Sequence, residues 1–162
     1  MISLKKKYNL IYFLALLLAG FDQLIKYIII RKLELFQSIP VIDNFFNITY
    51  LKNEGAAWSI LTGNRLFLIT ISLVIVFLLY FIFIKDNKLN KLEQYVYGIL
   101  YGGIFGNLID RIFRGSVIDY LDFKIFNYNF PVFNLADICI VISIILLGII
   151  VFRGDKNEVC NK

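Results

Sequence analysis

The 162-residue chain contains no histidine and only two cysteines. Without histidine, a serine or cysteine nucleophile lacks its usual activating base. The shortage of both residue types leaves no His/Cys cluster to hold zinc. Cys139 lies in an apolar stretch and Cys160 in the C-terminal tail. On one helix they would stand about 30 Å apart, beyond disulfide reach, so Cys139 reads as a small packing residue. Charge is also scarce: 18% of residues are charged, against roughly 25% in soluble domains. Hydrophobic residues make up 59% and aromatic ones 17%, and mean hydropathy is +0.74. The net charge of +5 comes from basic residues dispersed between apolar runs. They form no basic face for nucleic acid and read as anchors flanking membrane segments. No internal repeat or low-complexity linker appears, and the length suits one integral membrane domain.

Four stretches approach the roughly 20 apolar residues that a membrane span requires: residues 10–30, 66–84, 95–113 and 133–152. The expected fold is therefore a membrane α-helical protein, a four-transmembrane-helix bundle. Polar exceptions gather toward one end of three stretches: Asp22 and Lys26 in the first, Asn107, Asp110 and Arg111 in the third, and Asp137 in the fourth. Alternating direction puts those ends on one membrane side. That side also receives the loops 31–65 and 114–132, opposite the short charged link 85–92. Lys5, Lys6, Lys7, Lys85, Lys88, Lys91, Arg153, Lys156 and Lys162 lie on one side. Arg31, Lys32, Lys52, Arg65, Arg111, Arg114 and Lys124 lie on the other. The positive-inside rule thus favours cytoplasmic termini, nine to seven. The N-terminus has the lysines and apolar run of a secretory signal, but Phe21 stands where a lipoprotein signal needs cysteine, and the run continues to Ile30. It reads as an uncleaved anchor.

The loops carry structure of their own. β-branched and aromatic residues dominate 39–51, and 118–126 partly alternates, so both read as short strands. Gly55 is expected to act as a hinge in an exposed loop, followed by a brief helix over 56–61, with Trp58 at headgroup level. Together these features predict a small extracytoplasmic β-cradle with a flap over 53–61.

Asp119 and Asp137 stand at the membrane ends of apolar segments, where a carboxylate is costly and tends to be paired, protonated or functional. Brought together, two carboxyls can share a proton and act as acid and base. Asn134 and Asp137 have the spacing of a capping box with Asp in place of Glu. A helix N-terminus favours an ionised carboxylate, which would leave Asp137 charged and Asp119 protonated. Asp22 and Lys26 have i,i+4 spacing, and Asp110 with Arg111 reads either as an interfacial ion pair or as support for Asp119. Gly98, Gly102 and Gly106 form a stripe that lets another helix approach closely.

The pieces Phe21-Asp-Gln-Leu-Ile-Lys26, Asn53-Glu-Gly-Ala-Ala-Trp58, Gly106-Asn-Leu-Ile-Asp-Arg111, Val117-Ile-Asp-Tyr120 and Phe133-Asn-Leu-Ala-Asp137 together resemble the lipoprotein signal peptidase (signal peptidase II) family of bacterial intramembrane aspartyl proteases. They occur in family order across the chain. The resemblance implies that Asp119 and Asp137 are the catalytic pair, supported by Asp22, Lys26, Asn53, Gly55, Asn107, Asp110, Arg111 and Asn134. It implies hydrolysis of prolipoproteins just before a diacylglyceryl-modified cysteine, at the cell membrane, without cofactor or metal. The partners are then the prolipoprotein and membrane lipid, no nucleic acid is involved, and a monomer is expected. Tyr120 replaces a common phenylalanine, a change expected to matter little. The alternative, a small proton-coupled transporter or channel, would place its acids nearer the midplane and use repeats or broken helices. A non-enzymatic scaffold would not bring two acids and two asparagines to one end.

Overall fold

The computed structural model describes residues 8–56, 60–85, 88–126 and 128–159, with side chains as far as Phe152. Trp58, Cys160, Lys162 and Lys5 to Lys7 lie outside the described residues, as do the side chains of Arg153 and Lys156.

Four long helices and a small sheet follow one another in the order α1 (Asn9–Lys32), β1 (Ser38–Ile42), β2 (Phe46–Asn53), α2 (Arg65–Leu78), α3 (Lys91–Phe113), β3 (Val117–Ile125), β4 (Tyr128–Asn129) and α4 (Leu135–Val159). Helix α2 continues as a π-helical stretch, Leu79–Ile84. Among the described residues, three helices are long and apolar enough to cross a membrane: Asn9–Lys32, Arg65–Ile84 and Leu135–Phe152. The third expected span corresponds to α3, which carries its glycines and polar end into the middle of the bundle. Twelve of its 23 residues are buried, whereas α2 buries only Leu68. Helix α3 is thus the axis on which α1 and α4 pack. Its start is fixed by a reciprocal cap: Asn90 accepts from the Glu93 N–H, and the Glu93 carboxylate accepts from the Asn90 N–H.

The glycine stripe is the seam between α1 and α3. A Cβ on Gly102 would lie 2.8 Å from the Leu18 Cβ, and one on Gly106 would lie 2.7 Å from Asp22 Oδ2. Only hydrogen fits there. Away from the seam, Tyr8, Ile11 and Ala15 of the N-terminal region pack with Tyr97, Leu100, Tyr101 and Ile104 of α3.

Strands appear where β-branched and aromatic residues predicted them, in an antiparallel sheet ordered β1-β2-β3-β4. The two-residue β4 has no counterpart in the sequence reading. Opposite Asp119 the β2–β3 register shifts, since Ile48 pairs with Leu121 but Leu51 pairs with Asp119. Such a bulge bends the strand and re-aims nearby side chains. Period-2 alternation does the rest. Ile118 and Tyr120 turn into a core with Ile29 and Tyr50, so Val117 and Asp119 face the other way, into a cavity. Phe133 bridges to Leu121, which ties the start of α4 to β3.

Residues 57–59 of the helix expected over 56–61 lie outside the described residues. Ala56 N–H donates to Ile60 O at 2.7 Å, a direction opposite to helical bonding. Leu61 has a φ of 63°, which breaks any helical path.

Candidate active site

The first turn of α4 supplies the best starting point, because a helix N-terminus leaves four N–H groups without helical partners. Here each finds one. Leu135 N–H donates to Tyr120 Oη at 3.2 Å, and Ala136 N–H to Asp22 Oδ1 at 3.1 Å. Asp137 N–H donates to Asn134 Oδ1 at 3.0 Å, and the first regular helical bond runs from Ile138 N–H to the Asn134 carbonyl at 3.3 Å. Asp137 Oδ2 in turn accepts the Asn134 N–H at 3.1 Å. The capping box is therefore present, and the same geometry holds the carboxylate of Asp137. The phenol of Tyr120, expected to matter little, supplies its oxygen as a cap for α4.

Asp119 meets this turn from β3. Asn134 Nδ2 donates to Asp119 Oδ1 at 2.7 Å, and Asn53 Nδ2 donates to Asp119 Oδ2 at 3.0 Å. Asn107 Nδ2 donates to Asp137 Oδ1 at 2.7 Å. Both carboxyls therefore face rings of N–H donors. Burial, and then the negative charge of Asp137, push the Asp119 carboxyl up from 3.8 to about 7, against the opposing pull of Asn53, Asn134 and Lys26. A carboxyl that keeps its proton near neutrality, beside a second carboxyl, is the arrangement that acid–base chemistry needs.

Behind the pair lies a buried ion cluster. Lys26 is fully buried and lies 2.7 Å from Asp22 and 2.8 Å from Asp110. Asp110 also pairs with Arg114 and accepts from the Ile118 N–H at 3.2 Å, which anchors the start of β3. The i,i+4 pairing of Asp22 with Lys26 is as expected, and both side chains are buried. Asp110 turns to Lys26 and Arg114, not to its neighbour Arg111. Arg111 reaches the other way: its Nη2 donates to Gly55 O at 3.0 Å and its Nη1 to Asn107 O at 3.4 Å. Gly55 is correspondingly buried rather than exposed, with its N–H on Asn53 Oδ1 at 2.9 Å.

All ten predicted residues thus fall within one connected network. Sequence reasoning missed Gln23, whose Nε2 donates to Gly106 O at 3.0 Å and Asp110 Oδ1 at 3.1 Å. It also missed Arg65, whose Nη2 donates to the Ile112 carbonyl at 2.9 Å. Gln23 sits between Asp22 and Lys26 in a quoted motif, which was the available signal. Arg65 had none.

The two aspartates open onto a cavity of about 520 Å³, shared with Asn53, Asn107 and Arg111 and walled by Phe130, Pro131, Ile138 and Val141. Val141 is 55% exposed on the outer surface of α4, so the apolar wall runs out to where lipid would lie. No group of three or more metal-ligating side chains occurs among the described residues.

The pattern of signal peptidase (SPase) II matches residues 14–153. The chain belongs to the signal peptidase II family. It is 41% identical over 145 residues to the lipoprotein signal peptidases of Staphylococcus aureus strains JH9 and Newman, covering 90% of this chain and 89% of theirs. Its fold is similar to that of a bacterial membrane enzyme solved by the in meso method at 2.3 Å resolution. That match has a TM-score of 0.83 and 40% identity, covering 90% of this chain and 89% of the other. A second bacterial membrane enzyme, solved in the same way at 1.9 Å, gives a TM-score of 0.77 at 41% identity, covering 86% and 90%.

Proposed function

We propose that this family member removes signal peptides from prolipoproteins by aspartyl chemistry, with Asp119 and Asp137 as the acid–base pair. The observation that carries the reading is the meeting of the two carboxyls over one cavity, each held by N–H donors. In this reading Asp137 takes a proton from water, the water attacks the scissile carbonyl, and Asp119 donates to the carbonyl oxygen. As the C–N bond breaks, Asp137 passes its proton to the leaving amine and Asp119 takes one back from a hydroxyl of the collapsing intermediate. The asparagines orient the pair, and the ion cluster holds α1, α3 and β3 around it.

The finer expectations fit this reading. Helix α3 would be the fourth span, its polar end lying at the membrane surface beside the sheet. Arg65, Arg111 and Arg114 are all engaged in the site or at the end of α3. Setting those three aside changes the charge comparison from nine against seven to nine against four, which favours cytoplasmic termini and an extracytoplasmic site in the inner membrane. The wall of Ile138 and Val141 suits a diacylglyceryl chain that remains in the bilayer while the peptide bond enters the cavity. The segment 53–61 would be a flap, held at Gly55 by Arg111. The protein would act as a monomer, in one integral membrane domain.

The test is incubation of the purified protein with a diacylglyceryl-modified prolipoprotein and, in parallel, with the unmodified precursor. Release of signal peptide from the lipidated form is the expected result. Proton-coupled solute uptake into proteoliposomes without peptide release would favour the transporter alternative.

A further inference from the structure

Lys26 and Asp137 do not touch, yet one amide connects them. An ammonium group has three N–H donors and no acceptor. Those of Lys26 reach Asp22 at 2.7 Å, Asp110 at 2.8 Å and Asn107 Oδ1 at 3.0 Å. The end of Asn107 that faces Lys26 must therefore be oxygen, and the end that faces Asp137 must be the NH₂ group, at 2.7 Å. Asn134 agrees with this polarity. Its own oxygen is taken by the Asp137 N–H, so its NH₂ group faces Asn107 Oδ1 at 3.2 Å and Asp119 at 2.7 Å. Of the two donors on Asn107 Oδ1, Lys26 is the nearer and the charged one, and charge-assisted bonds are about twice as strong as neutral ones.

We propose that Lys26 is a positioning residue that acts through Asn107. By fixing the direction of that amide, it ensures that Asp137 always meets an N–H donor and so serves as the base rather than the acid. This rests on reading Asp119 and Asp137 as the acid–base pair. A flipped Asn107 would turn its oxygen toward Asp137, where only a protonated carboxyl could bond to it, and the base would be lost. The charges around the relay come from four elements: Asp22 and Lys26 on α1, Asp110 and Arg111 on α3, Asp119 on β3 and Asp137 on α4. Arg114 faces Asp110 just beyond α3.

The experiment compares Asn107→Leu, Asn107→Asp and the double variant Lys26→Met with Asp22→Asn, each as full-length purified protein cleaving a diacylglyceryl-modified prolipoprotein from about pH 4 to 9. The double variant removes a buried cation and a buried anion together, because Lys26→Met alone would leave Asp22 and Asp110 without their cation. It is expected to lose about 10- to 100-fold in kcat, the size of effect that partners orienting a reactive ligand have in metal sites, with KM little changed. Asn107→Leu should lose activity at every pH. Asn107→Asp can donate to Asp137 only when protonated, so its active state needs one more proton and its optimum should move to lower pH. A double variant with kcat and KM within twofold of the parent would overturn the proposal. So would an Asn107→Asp profile that is only a scaled copy of the parent's, and this second arm decides even where the double variant does not fold. Activity in Asp119→Asn or Asp137→Asn would instead overturn the acid–base reading beneath it.

Discussion

The phenol oxygen of Tyr120 on β3 accepts the backbone N–H of Leu135, the first residue of α4, at 3.2 Å. That bond joins the strand carrying Asp119 to the helix carrying Asp137. Tyr120→Phe leaves the ring in place and strips the acceptor from a half-buried N–H. The expected cost is about 1–3 kcal/mol of stability, seen as a lower Tm in detergent. Cleavage at saturating substrate should fall less than tenfold, because neither carboxyl loses a partner. An unchanged Tm would show that the bond adds nothing to the junction.

Asp119→Asn and Asp137→Asn should each abolish cleavage while the protein stays inserted and folded. The loss expected is at least the 10²- to 10⁴-fold typical of a single acid or base. Asparagine cannot exchange the proton. At position 119 it must also turn an NH₂ group toward Asn53 or Asn134, both already presenting NH₂ groups. Gel assays of signal-peptide release measure the loss, and wild-type turnover in either variant would remove that residue from the pair.

The pH dependence has a defined sign. Folding raises the Asp119 carboxyl from 3.8 to about 7 through burial and the charge of Asp137. The fold therefore favours the protonated form. The contribution of this group to stability is complete below about pH 4 and is lost as pH rises through about 7. Unfolding followed from about pH 4 to pH 8 should show that decline, and Asp119→Asn should flatten it. The profile of kcat/KM should be bell-shaped with its basic limb near pH 7, where Asp119 gives up its proton. An activity plateau extending to pH 9 would contradict this assignment.

Chelators should leave activity intact. Both carboxyls are surrounded by N–H donors rather than by further ligands, and the chain has no histidine to complete a zinc site. Inactivation by EDTA with recovery on adding zinc would point to a different mechanism.

Much of this architecture was legible because a membrane enforces simple rules. Expected spans over 10–30 and 66–84 became helices Asn9–Lys32 and Arg65–Ile84, since uninterrupted apolar residues in lipid have little choice but to be helical. The gathering of Asp22, Asn107 and Asp137 at one end followed from alternating direction alone. What stayed hidden depends on contacts between distant residues. Nothing in the spacing says that Lys26 reaches Asn107, 81 residues away, or that Asp110 prefers Arg114 to the adjacent Arg111. Gly55 looked like part of an exposed loop because its own neighbourhood is flexible in composition. It is buried because Arg111, more than fifty residues on, draws its carbonyl inward.

The seam between α1 and α3 allows a sharp comparison. Gly106→Ala would put a Cβ 2.7 Å from Asp22 Oδ2 and 3.0 Å from the Ala136 Cβ. Overpacking of this kind costs about 1–3 kcal/mol, and here it also displaces the cap of α4, so activity should fall with Tm. Gly20→Ala on α1 meets nothing within 4 Å and should be neutral or slightly stabilising. Equal Tm values for the two variants would mean that the helices can part without penalty.

Helix α2 buries one side chain, Leu68, rests Val76 against the core and presents most of the others outward. Along its exposed face its neighbours would be supplied by the bilayer and not by the protein. Selection on such a helix acts on length and oiliness, not on shape, so Leu, Ile, Val and Phe can trade places there over generations at little cost. Differences between relatives should accumulate along α2 and thin out along α3. A whole-chain percentage identity averages the two, and so understates how alike the working parts of two such enzymes are.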